Sequence, residues 1–136
     1  MIAGAFVLML SPVATESSKA PPIELIEPIN LSDAEACGEL NKVADRMAKE
    51  LPKMIDAATR LDGLSVFCAL RTVNFNKFIN LKVTDLRPGW QERKQSQWNG
   101  VVCSNAAFNP LVTRGWRFAQ NLTFKSGERY VTVARC

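Results

Sequence analysis

The chain has 136 residues, a formal net charge of +4 and 47% apolar residues, which is one domain's worth of ordinary globular composition. It contains no histidine, so Ser-His-Asp and Cys-His catalysis and the usual histidine-bearing zinc sites are excluded. It also lacks Cys-x-x-Cys, Gly-x-x-x-x-Gly-Lys-[Ser/Thr] and Gly-x-Gly-x-x-Gly, so no redox pair, phosphate cradle or cofactor is expected.

Ile2 to Leu10 is an unbroken apolar run, far short of the roughly 20 residues of a membrane-spanning helix but long enough for the core of a signal peptide. No Lys or Arg precedes it, and no clean Ala-x-Ala follows it. Those two absences count against a leader, but the apolar run and the four cysteines argue for export, and residues 1–14 are expected to be a signal-peptide-like leader. The competing reading is a segment that docks on the protein's own core. Residues 15–30 contain Pro21, Pro22 and Pro28 and read as an extended linker. Residues 31–136 then form a single domain, large enough for one modest core.

Ser32-Asp33-Ala34-Glu35 fits a capping box, with Leu31 at the staple position. Ala36, Leu40, Val43, Met47 and Leu51 follow at helical spacing, and Asp45 and Lys49 form an i,i+4 pair. Pro52 stops or kinks this helix. A strand follows, with Leu64, Val66, Cys68 and Leu70 on one face and Ser65, Phe67, Ala69 and Arg71 on the other. Asp62-Gly63 is expected to be a bulge or bend near its start. Phe78 to Val83 reads as a second strand. Pro88 opens a second helix to about Ser104, with Trp90, Lys94, Gln97, Trp98 and Val101 at helical spacing. One more helical turn fits before Gly115. Trp116 to Phe124 and Arg129 to Ala134 form a closing hairpin around Lys125-Ser126-Gly127-Glu128.

Two stretches carry a resemblance. One is LPKMIDAATRLDGLSV, Leu51 to Val66, ending a helix and opening a strand. The other is Cys103, then Gly115, the aromatic strand Trp116 to Phe124, Gly127 and the terminal Thr132-Val133-Ala134-Arg135-Cys136. Together they resemble a class of small exported bacterial proteins of unknown function that includes the "putative quorum-sensing-regulated virulence factor" type. The resemblance spans roughly Leu40 to Cys136, although Cys68 and Ala69 replace aromatic strand residues of that class. It implies export, an α+β fold and a disulfide ending at the last residue, and it brings no catalytic residues.

Four cysteines allow three pairings. Cys136 with Cys103 would staple a chain end that otherwise frays. Cys37 with Cys68 would tie the first helix to the sheet, and the alternative is a pair of buried thiols.

The charge is uneven. Met1 to Leu86 carries 9 basic and 11 acidic residues, and Arg87 to Cys136 carries 8 basic and 2 acidic. A basic half attracts an anionic partner, and the same charges also serve as a plain solvated face. Arg114, Arg117, Arg129 and Arg135 are the candidate partner-binding residues, because Arg117, Arg129 and Arg135 share strand parity. Trp90 and Trp98 beside Arg93 and Lys94 could stack bases, but no nucleic-acid motif accompanies them and core packing is the commoner use of Trp. Asp56 and Asp62 are the paired carboxylates a hydrolase would need, and local capping explains them as well.

The expected architecture is α+β: an antiparallel, disulfide-stapled sheet with two helices on one face, in the order helix, strand or strands, helix, β-hairpin. The expected function is a periplasmic or secreted, non-enzymatic protein that binds an unknown macromolecule, anionic if the arginines do the binding. An enzyme inhibitor or immunity-type protein and a carboxylate hydrolase are the alternatives.

Overall fold

A computed structural model describes residues 32–136. The leader and linker lie outside the described residues. Helix α1 is Asp33–Ala48. Its capping box forms as expected: Glu35 N donates to Ser32 Oγ at 3.1 Å and Ser32 N donates to Glu35 Oε1 at 2.9 Å. Those bonds hold the Glu35 carboxyl below its usual range. Ala36, Cys37, Leu40 and Val43 are buried, so the helix presents one apolar stripe to the sheet. Asp45 and Lys49 make no ion pair. Glu39–Lys42 and Glu50–Lys53 do, and exposed pairs of this kind hold so little energy that either arrangement is tolerated.

After a cis Leu51–Pro52 bond come β1 (Lys53–Met54), β2 (Thr59–Phe67) and β3 (Thr72–Ile79). Helix α2 (Trp90–Cys103) and helix α3 (Phe108–Thr113) follow, then β4 (Arg117–Phe124) and β5 (Arg129–Val133). The sheet order is β1-β2-β3-β4-β5. The α+β class and the helix-sheet-helix-hairpin order are as expected, and the further helical turn before Gly115 forms as α3. The sheet is antiparallel except between β3 and β4, which pair in parallel. The chain between those strands crosses one face of the sheet as helices, so β4 enters from the same end as β3.

Two expectations for the sheet change. The first strand stops at Phe67, and Cys68–Leu70 is a 3-10 turn. Arg71, at φ 47°, reverses the chain, so Phe67 pairs with Thr72. Cys68 and Leu70 therefore lie on no strand face. The second strand runs over 72–79 rather than 78–83, and Val83–Asp85 is a 3-10 turn. Its inward residues are Val73, Phe75, Lys77 and Ile79, and the lysine masks the alternation. The bulge lies where expected, between Leu61 and Gly63.

The main core joins α1, α2, α3 and the sheet through Leu40, Val73, Trp98, Val102, Leu111, Trp116 and Phe118. Trp98 donates its indole N–H to Phe118 O at 2.9 Å. A smaller cluster of Ile79, Leu122 and Phe124, covered by Leu86, Trp90 and Tyr130, closes the other end. Trp90 meets Phe124 and Tyr130 edge-on. Both α2 tryptophans thus pack inward, which removes them as a stacking platform for bases. Val102 is fully buried while Val101 is 57% exposed, so the buried stripe of α2 passes through Val102 instead of Val101.

Candidate binding surface

Asp33, at the start of α1, gathers three donors from two distant stretches of the chain. Arg114 Nη2 and Trp116 Nε1 each lie 3.2 Å from its Oδ1, and Arg71 Nη1 lies 3.7 Å from Oδ2. Arg114 is thereby part of the joint that holds α1 to the sheet. Sequence reasoning placed it with the partner-binding arginines because a contact across 81 positions leaves no local signal.

The other three arginines separate. Arg117 and Arg129 lie on the face of the sheet that none of the described helices covers, at opposite ends of the hairpin. Arg129 pairs with Thr123, six residues along β4 from Arg117, about 20 Å at the rise of a strand. Arg135 lies beyond β5. Its backbone N donates to Asn99 Oδ1 at 2.8 Å, and its side chain lines a groove against α2. Shared parity therefore does not bring the three together, because the strand ends before Arg135 and the chain turns toward the helix. None of these three guanidiniums makes an ion pair among the described residues.

The groove between α2 and β5 has a volume of about 320 Å³ and a polar lining that includes Gln91, Glu92, Gln95, Asn99, Tyr130 and Arg135. Gln95 Nε2 donates to Val133 O and to Asn99 Oδ1, each at 2.8 Å. The sequence signal for this feature was three carboxamides at i, i+4 and i+8 of α2, a pattern that apolar periodicity passes over.

On the inner side of α2, Lys77 is a charged residue on the helix-covered face, packed against Trp98. Its Nζ donates to Gln120 Oε1 at 2.8 Å and sits 4.6 Å from the centre of the Trp98 ring. Burial, with nearby Lys94 adding to it and Asp56 opposing it, lowers its pKa to about 8. Between that value and the ordinary lysine value of about 10.4 the unfolded chain binds more protons, so this group's contribution to stability rises with pH through the window. We expect wild type to gain stability relative to Lys77→Met as pH is raised from about 8 to about 10. Urea titrations of both proteins across that range check this, and a pH-independent difference would refute it.

The two candidate carboxylates serve local ends. Burial pulls the Asp56 carboxyl up, but bonds from Ala58 N and Thr59 N, with Lys94 nearby, outweigh it and leave it below the usual range. Asp62 pairs with Arg60 on the helix-free side of β2, and Arg60 lies over the Phe78 ring. This is a turn and a surface pair, and no shared cleft unites them among the described residues.

Two disulfides close the molecule. Cys37–Cys68 ties α1 to the turn after β2, and Cys103–Cys136 ties the end of α2 to the last residue. Among the described residues no helix is long and apolar enough to cross a membrane.

No protein-family model and no curated protein sequence matches the chain. Two solved structures share its fold. One, from Pseudomonas aeruginosa, is described as a "putative secreted protein". It is 20% identical, with a TM-score of 0.60 over 74% of this chain and 89% of its own. The other is EpsS, a pilotin of the type 2 secretion system of Vibrio vulnificus. It is 13% identical, with a TM-score of 0.57 over 75% of this chain and 89% of its own. At such identities the likeness is one of fold, and it places this chain among small α+β domains of the kind found in those two bacterial proteins.

Proposed function

We propose that this chain is an exported, non-enzymatic binding protein whose partner is an acidic macromolecule of the cell envelope or its surroundings. The observation that carries the reading is the set of three arginines, Arg117, Arg129 and Arg135, that make no ion pair among the described residues. They belong to a half of the chain with 8 basic and 2 acidic residues. Two disulfides suit an oxidising compartment. The fold is shared with one protein described as secreted and with a pilotin, and neither name denotes an enzyme. A pilotin belongs to a secretion system, so by that likeness the partner is sought among envelope proteins.

Association through exposed arginines should fall steeply with salt, because the Debye length shrinks from about 10 Å at 0.1 M to about 3 Å at 1 M. The Arg117→Glu, Arg129→Glu double variant should keep its melting temperature and lose the partner that the wild-type protein retains from an envelope fraction at low salt. Retention of the same partner by the double variant, or binding indifferent to salt, would refute the reading.

A further inference from the structure

Helix α2 and strand β5 run side by side in one direction. Trp90 at the start of α2 meets Tyr130 near the start of β5, and Cys103 at its end is bonded to Cys136. Four residues of helix advance about 6 Å and two residues of strand about 7 Å. Positions 91, 95 and 99 of α2 therefore keep step with positions 131, 133 and 135 of the chain beside them.

The backbone of β5 is directed accordingly. Its even-numbered residues bond to β4, as Ala134 N does to Phe118 O at 2.9 Å. Val131 and Val133 lie opposite Asn121 and Ala119 in the wide pairs of the ladder, so Arg129, Val131 and Val133 turn their N–H and C=O outward, away from the sheet. Because β5 ends the sheet, no further strand meets them among the described residues. At two levels a carboxamide of α2 does: Gln95 holds Val133 O and Asn99 holds Arg135 N. At the third level Gln91 makes no such bond with Val131. Both residues are exposed, and the groove opens beside them.

We propose that the edge of β5 at Arg129 and Val131, with Gln91 beside it, receives an extended segment of a partner protein that carries acidic side chains. The segment would add to the sheet as a further strand. Its main chain would take the outward N–H and C=O of Arg129 and Val131 and the Gln91 carboxamide, while its acidic residues would meet Arg129 and Arg135. A second copy of the chain is a poorer occupant, since its matching edge brings the same two arginines against each other. This inference rests on the binding reading above and names the place and the form of the contact.

The test uses the oxidised full-length protein. A phage-displayed library of random linear peptides is selected against it, and an enriched sequence is synthesised as the probe. The expected sequences are rich in Asp and Glu. The probe should slow hydrogen exchange at the Arg129 and Val131 amides and shift their NMR signals. Val131→Pro removes the outward N–H without breaking a bond to β4, a substitution that edge strands accept, and it should weaken the probe about tenfold. Val131→Thr, which keeps the N–H, should bind as wild type. Amide exchange in the wild-type protein gives the answer independently if Val131→Pro fails to fold. Undiminished binding by a folded Val131→Pro, signals that move around Arg117 instead, or a library without enrichment would overturn the proposal. A concentration-dependent dimer abolished by Val131→Pro would assign the edge to a second copy and overturn it too. If Val131→Pro still retains the salt-sensitive envelope partner, strand addition is wrong and the binding reading survives.

Discussion

Phe118→Ala is expected to destabilise the protein by about 3–5 kcal/mol, the usual loss when a buried aromatic becomes a cavity. Phe118 is fully buried in β4, stacked on Phe108 of α3 with ring centres 4.6 Å apart. Its carbonyl accepts the Trp98 indole, so the same residue anchors α2. A cavity there loosens two helices together, and a small domain has only about 5–15 kcal/mol in total. Urea unfolding should show a much lower midpoint, with Val131→Ala as a near-neutral control from the exposed face of the same hairpin. A loss under about 1 kcal/mol would mean that the core closes without this side chain.

Cys136→Ser, made with Cys103→Ser so that no lone thiol remains, should cost about 2–5 kcal/mol. Beyond Val133 the chain is held by Ala134 N to Phe118 O, by Arg135 N to Asn99 and by the disulfide. Without the bridge, two backbone bonds, at Ala134 and Arg135, are left to hold this stretch beside β4 and α2. The bridge to Cys37 spans a sequence separation of 31, against 33 for this one. Chain entropy alone therefore predicts similar losses from either. A larger loss at Cys136 would measure its added task of holding β5 beside α2. Melting curves of the two serine pairs separate these cases, and an unchanged melting temperature for the Cys136 pair would show that the hairpin closes without its staple.

Much of the fold lay open in neighbouring residues. Ser32 and Glu35 announce the start of α1, and Ala36, Leu40 and Val43 its buried face. Trp116, Phe118, Leu122 and Phe124 announce a strand with one buried side, and the tight residues 125–128 announce its return. Each is a local pattern, since capping joins positions three apart and a strand alternates every two.

The return strand shows where local pattern ends. Val131 and Val133 look like the apolar side of β5, yet Tyr130, Thr132 and Ala134 face inward, and Thr132 is 1% exposed. The turn decides this. Phe124 N bonds to Glu128 O, which sets the even-numbered residues in phase with Phe124, and a slip of one residue would have exchanged the two faces. Sequence sees valine's hydrophobicity and is blind to that register.

The candidate surface depended on tertiary structure still more. Asp33 draws Arg114 out of the binding set, and the end of β5 sends Arg135 to α2 and away from Arg117. Lys77 faces inward because β3 pairs on both sides, so its position follows from its neighbours' register and overrides its charge. The carboxamides of α2 acquire meaning only beside the outward backbone of β5. Composition, charge, the missing histidine, the helix cap and the hairpin were determined by residues close in sequence. The parallel β3–β4 pair, the inward phase of β5 and the separation of the arginines were decided by contacts between distant segments, whose energies no local window contains.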